Sequence, residues 1–235
     1  MVRASLVTTV ADALLDEIVS GALPVGSELP SEADLAERHD VSRVTMREAL
    51  KRLQGLGVLD ARRGKRGVVN PTTLWTDVGP VLRAIAHGAD VGAAELQLIE
   101  VREMLECGAC ALAATRRTES DLQRLDVLVE RMRGAHEHED VAAFVEADIA
   151  FHDVILAATA NAFVGVVFAP LSRVLREKRE QTSAIPRIQR HAIEQHAAIV
   201  AALRTGDAEE SRRAMAAHMA QTAEDFRTLV LPTLR

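Results

Sequence analysis

The segment LPSEADLAERHDVSRVTMREALKRL, residues 29 to 53, constrains the fold more than any other stretch of the chain. It reads as a short helix, a tight turn and a longer helix rich in Arg. A basic, glycine-punctuated hairpin, GVLDARRGKRGVV, follows at once. Ser31 stands before Glu32 and Asp34 and predicts a helix N-cap, because its side-chain oxygen can satisfy an otherwise unpaired amide of the first turn. That helix is expected to reach about His39, with Asp40 and Val41 forming the turn. Ser42 caps the second helix, whose apolar positions Val44, Ala49, Leu50 and Leu53 suit a face packed on the rest of the domain. Arg43, Thr45, Arg47 and Lys51 fall mostly off that face. Two short strands, about Val58–Arg62 and Gly67–Asn70, are expected around the tip Arg63-Gly64-Lys65-Arg66.

Helix, turn, helix and hairpin in this order make a winged helix-turn-helix, which sets its second helix in the DNA major groove. Arg43 and Arg47 pair well with guanine O6 and N7. Ser42 and Thr45 hydroxyls at the helix start favour phosphate, as does Lys51. Arg63, Gly64 and Lys65 form a wing tip suited to phosphate or minor-groove contact. Charge distribution agrees, although total charge, −6 with a pI near 5.8, does not. Residues 38 to 66 hold nine Lys or Arg against three Asp or Glu, whereas residues 1 to 37 hold one against seven. A basic island in an acidic chain is an electrostatic footprint for a polyanion.

The same residues carry a family resemblance. Gly21-Ala22-Leu23-Pro24-Val25-Gly26-Ser27-Glu28-Leu29-Pro30-Ser31-Glu32, then Val41-Ser42-Arg43, then Arg47-Glu48-Ala49-Leu50, resembles the DNA-binding domain of the GntR family of bacterial regulators over about residues 8 to 70. The resemblance implies DNA contacts from Arg43, Thr45, Arg47 and the wing around Gly64. The family often has Arg directly after the Ser-Glu pair, where this chain has Ala33, so operator preference or affinity is expected to differ from close relatives.

With 235 residues, the chain has room for a domain of about 70 residues and a second of about 150. The expected division is a winged helix-turn-helix over 1–70, a linker over 71–79 marked by Asn70-Pro71-Thr72-Thr73, and an all-helical domain over 80–235. The fold class is therefore mostly α, with β structure confined to the wing. Helices are expected near 75–87, 92–116, 118–137, 140–159, 161–181, 186–205 and 207–229. Hydrophobic content of 48% with only 3% aromatics fits helices packed through Ala, Leu and Val. There is no apolar run of about 20 residues and no charged-then-apolar leader, so a cytoplasmic protein without a membrane partner is expected. Cys107 and Cys110 form a lone CxxC without a second pair, which reads as small buried residues on one helix face.

A second constellation lies in the helical part. Asp148 and His152 are four residues apart and project from one helix face, and His196 and His218 sit mid-helix in alanine-rich turns. An Asp and three His converging in a bundle would suit a divalent transition metal: zinc first, with nickel or manganese as alternatives. Spacing alone leaves open whether these helices converge, and a lone mid-helix His is more often a satisfied core or surface group. His136 and His138 read as solvent-exposed.

Residues 95 to 226 resemble the ligand-binding domain of the FadR subgroup, the FCD domain. The matching pieces are Glu100-Val101-Arg102 with Leu105-Glu106, Ala147-Asp148 with Phe151-His152 and Ile155, Asn161, Gln195-His196 with Ile199, Gly206-Asp207, and His218. The resemblance implies that Asp148, His152, His196 and His218 hold a metal, and that the ligand is not a fatty acyl group, since the acyl-responsive branch lacks this set. It assigns Arg102 to a carboxylate effector, against a plain i,i+4 pair with Glu106. Asn161 either lines the effector pocket or caps a helix. Arg173 and Arg176 could reach the same cavity.

The expected protein is a homodimeric repressor of a palindromic operator, released by a small carboxylate metabolite bound at the metal. A regulator for which the metal itself is the signal is the alternative. A metal-dependent enzyme fused to a DNA reader is a weaker one, because a general base is needed near the ion and Glu146 and Glu194 are placed there no better than by chance.

Overall fold

The computed structural model describes residues 5–60, 67–87 and 91–234, and divides the chain into two compact units, Met1–Val91 and Gly92–Arg235. The first unit opens with α1 (Leu6–Val19), capped by Ser5, whose hydroxyl accepts from the Thr8 amide. Next come α2 (Glu32–Arg38), α3 (Arg43–Gly55), β1 (Leu59–Asp60), β2 (Val68–Val69) and α4 (Val78–His87). Ser31 and Asp34 make a reciprocal capping box at the start of α2, and Ser42 caps α3 by accepting from the Thr45 amide. Of the expected strands, the described residues pair Leu59 with Val69 and Asp60 with Val68, and residues 61–66 lie outside the described residues. A bridge between Glu28 and Val68 lays the Gly26–Leu29 segment along the other edge of β2.

The core of this unit joins Val10, Leu14 and Ile18 of α1 to Leu35 of α2 and to Met46, Ala49, Leu50 and Leu53 of α3. Burying each of the larger side chains contributes on the order of 2 kcal/mol. Val44 is not part of that core: it is 69% exposed, and Met46 occupies the buried position instead. The buried stripe 46, 49, 50, 53 follows i, i+3, i+4, i+7, and Val44 lies two residues, about 200°, away from Met46 around the helix. Trp75 joins this core too, donating its indole N–H to the Asn70 carbonyl at 3.0 Å, and Val81 and Ala84 of α4 pack against it. The segment expected as a linker and the helix after it therefore belong to the N-terminal unit.

The second unit is helical throughout its described residues: α5 (Val91–Arg116), α6 (Glu119–Glu137), α7 (Val141–Ala158), α8 (Ala162–Thr182), α9 (Pro186–Thr205) and α10 (Ala208–Asp225). A π turn, Phe226–Val230, and a 3₁₀ turn, Leu231–Leu234, prolong α10. Breaks fall where capping chemistry places them. Thr118 and Asp121 form a capping box, Asp140 and Asp207 cap α7 and α10, and Gly206 ends α9 in the left-handed region. Phe144, Phe151, Ile155, Leu122, Met132, Ile199, Leu203 and Met215 fill the centre between α6, α7, α9 and α10. Cys107 and Cys110 are buried free thiols in the same core, and burial pushes them up to about 11 and about 12, so they pack as small apolar groups.

Candidate functional site

Asp148 and His152 stand one turn apart on α7, and His196 on α9 and His218 on α10 meet them in the centre of the bundle. All four are buried, and His196 is completely inaccessible. Ligand-capable atoms of His152, His196 and His218 lie within 4.8 Å of one another. Asp148 Oδ1 is 3.5 Å from His196 Nε2. The ring centroids are 5.2 Å apart for His152 and His196 and 4.7 Å for His196 and His218. The rings are not there for packing alone: Nε2 of His152 and Nε2 of His196 are buried without a hydrogen-bond partner. Leaving such groups unpaired is costly, and clustered imidazole lone pairs beside a carboxylate match the donor set of a divalent transition metal.

Burial keeps the His196 and His218 imidazoles in the neutral form a metal needs. It pushes His196 down to about 3, with Asp148 opposing and His152 and Arg179 adding to the shift. His218 is held well below its usual range by burial and by His196, His152 and Arg102. Burial alone would raise the Asp148 carboxyl, but Arg179, His196, His152 and Arg102 outweigh it and the carboxyl is lowered.

Two residues that sequence reasoning did not assign complete the arrangement. Arg179 of α8 pairs with Asp148 Oδ2 at 2.8 Å, leaving Oδ1 facing His196. Glu106 of α5 lies 2.5 Å from His152 Nδ1 through Oε2 and accepts from Arg102 Nε at 2.8 Å through Oε1. Burial would raise the Glu106 carboxyl, yet Arg102, His152 and Arg179 together hold it well below the usual range. A carboxylate behind a histidine fixes its ring orientation and makes it a better donor.

Arg102, Arg179 and His218 also line a small cavity with Glu95, Lys178, Thr182, Gln221, Thr222 and Asp225. Its free volume is about 70 Å³, room for roughly five waters or one short acid. Arg102 therefore makes the i,i+4 pair with Glu106 and also faces the cavity. Asn161 does not reach it. Asn161 caps α8, accepting from the Phe163 amide at 3.1 Å, and borders a separate surface pocket. Arg176 also does not line the cavity and pairs with Glu146, while the Arg173 side chain lies outside the described residues. His136 is half-buried and bonded to Gln189 at 2.7 Å, against the expectation of exposure, whereas His138 is exposed.

On the first unit, Arg43, Arg47 and Lys51 are exposed along α3. Arg47 Nε donates to Glu32 at 3.1 Å and Lys51 to Glu48 at 2.9 Å. The Ser42 and Thr45 hydroxyls share a hydrogen bond at 2.8 Å. Arg63, Gly64 and Lys65 lie outside the described residues.

Comparison with known proteins places both units. The profile described as bacterial regulatory proteins, gntR family, matches residues 6–69, and that of the FCD domain matches residues 97–221. The chain belongs to the gntR family of bacterial regulatory proteins and carries an FCD domain. It is 31% identical over 209 residues to the HTH-type transcriptional regulator LutR of Bacillus subtilis (strain 168), covering 86% of this chain and 92% of the relative. It is 30% identical over 219 residues to the putative L-lactate dehydrogenase operon regulatory protein of Escherichia coli (strain K12), covering 88% and 80%. A solved structure described as Lar, which controls expression of the Listeria monocytogenes agr system, superposes with a TM-score of 0.67 at 20% identity, covering 97% of this chain and 99% of that one, and supports the fold. The chain is thus a DNA-binding transcriptional regulator and not an enzyme. Among the described residues no helix is long and apolar enough to cross a membrane.

Proposed function

We propose that this regulator is a cytoplasmic, homodimeric repressor that leaves its palindromic operator when a short hydroxycarboxylate binds at a metal in the FCD domain. The observation that carries this reading is the pair of buried, partnerless Nε2 atoms of His152 and His196 beside Asp148 and His218, bordering a cavity lined by Arg102, Lys178 and Arg179 as well as Glu95 and Asp225. Asp148, His152, His196 and His218 would hold the ion, zinc first among the candidates. An ion that takes five or six ligands would keep, beside four from the protein, a position for an outside oxygen donor. Arg102, Lys178 and Arg179 favour a carboxylate in the cavity. Other lining groups favour hydroxyls: Asp225, buried and held by His191 at 2.9 Å and Gln221 at 3.1 Å, together with Thr182 and Thr222. The Escherichia coli relative is named for an L-lactate dehydrogenase operon, and lactate belongs to this chemical class.

Two copies are required to read a two-fold operator with one recognition helix per half-site. Met104 of α5 and Phe163 and Val167 of α8 line one apolar groove and are 71%, 79% and 56% exposed. An apolar patch of this kind favours a protein partner, and we assign it to the second copy. Phe163→Glu then yields monomers in light scattering. An unchanged dimer places the interface elsewhere.

The effector reading is tested on full-length protein stripped with a chelator and reloaded with zinc, nickel or manganese, while operator binding is measured. Lactate-like and sugar acids should weaken binding only in the metal-loaded protein, and His196→Ala should lose both metal and response while still binding DNA. If metal alone switches affinity and the acids do nothing, the ion is the signal.

A further inference from the structure

Val44 has no structural reason to be where it is. Exposing a β-branched apolar side chain at the second position of α3 adds nothing to the core and is a poorer helix choice than Ala. Its neighbours on the outward face are polar or charged. Arg47 is one turn along at i+3, Glu48 is at i+4, and Arg43 precedes it, each exposed. Arg47 and Lys51 have intrachain carboxylate partners at Glu32 and Glu48, and Ser42 and Thr45 satisfy one another. Val44 is thus the one apolar element among the first residues of the helix that faces DNA.

The base edges of the major groove are almost wholly polar, and their apolar feature is the C5-methyl of thymine. An isopropyl group beside two arginines complements a thymine methyl next to guanines, and water leaves both surfaces when they meet. We propose that Val44 is a specificity-determining residue that packs on a thymine C5-methyl in each operator half-site. Serine or threonine at this place could hydrogen-bond phosphate or any base, whereas valine rewards only the methyl. The proposal rests on α3 being the helix that enters the major groove.

The test uses the full-length protein and a duplex operator selected in vitro from random sequence. Each thymine of a half-site is replaced in turn by deoxyuridine, which keeps base pairing and removes only the methyl. At one position per half-site the replacement should weaken binding about fourfold, the factor expected from about 0.8 kcal/mol for one buried methyl-sized group. Val44→Ala should bind the thymine and deoxyuridine duplexes equally. Val44 is mostly exposed, so this substitution leaves the core intact. The proposal is overturned if no deoxyuridine duplex binds the wild-type protein more weakly, or if Val44→Ala retains the full penalty. Arg43→Ala separates the underlying reading: if it leaves operator affinity unchanged, α3 is not the reading helix. If it abolishes binding while the deoxyuridine series is flat, only the methyl contact fails.

Discussion

Glu106 shows what a single residue adds to the site. It receives Arg102 on one oxygen and stands against His152 with the other, so a line of polar contacts runs Arg102, Glu106, His152 through the interior of the domain. Glu106→Gln should weaken metal affinity about 10- to 100-fold, measured by competition with a chromogenic chelator, while the fold persists. Arg102→Ala leaves that carboxylate without its closest cation and should destabilise the domain by about 3 kcal/mol, read by denaturant unfolding. Acidification acts on the same residues. His196 is depressed to about 3 and His218 lies well below its usual range, so the unfolded chain takes up protons near pH 6.5 that the folded one refuses. Stability of the metal-free protein should therefore be full above that pH and fall as pH drops below it. Loss of the lowered Asp148 and Glu106 carboxylates adds to the fall nearer pH 4. A melting temperature of chelated protein that stays level from pH 7 to 4.5 would contradict this. The four candidate ligands could be read from residue type, helical spacing and resemblance. Arg179 could not, because an ion pair to Asp148 from another helix leaves no trace in local periodicity.

Helices were legible where sequence supplies both a cap and a stripe. Asp140 and Asp207 begin α7 and α10 within a residue or two of expectation because their carboxylates accept from amides three residues on. Thr118→Ala removes the hydroxyl half of the capping box on α6, leaving the residue-118 amide still donating to Asp121, and should cost about 1 kcal/mol in chemical denaturation. Along α3 the reading failed at Val44, since valine was weighed by hydrophobicity and not by angle. α1 has a Ser5 cap and a Val10, Leu14, Ile18 stripe, yet it falls outside the segments read above as helix. Gly57 is required by conformation and by space. It has φ of +71°, and a Cβ there would approach the Leu74 carbonyl oxygen to 2.5 Å. Gly57→Ala should cost about 2 kcal/mol or more, seen as a lower melting temperature of the DNA-binding unit.

At the scale of the whole molecule, composition foretold two parts but not where they divide. Pro71 and the two threonines after it suggested a spacer, yet Trp75 and α4 bury themselves in the first unit, which extends to Val91. Arg83 of α4 also lies 3.6 Å from Asp12 and 3.5 Å from Asp16 of α1, pairings that no local pattern announces. Within the second unit, α8 carries Arg179 and Lys178 at the cavity and Phe163 and Val167 in the exposed apolar groove, on one continuous helix that contains Pro170. If the proposed effector and dimer sites are coupled through this rod, the coupling is reciprocal: the factor by which effector changes dimer affinity is the factor by which dimerisation changes effector affinity. Effector affinity should therefore depend on protein concentration, changing as the sample is diluted through the monomer–dimer midpoint, with calorimetry at two concentrations as the measurement. The genetic switch would then be a thermodynamic balance whose setting depends on how many copies of the regulator the cell contains.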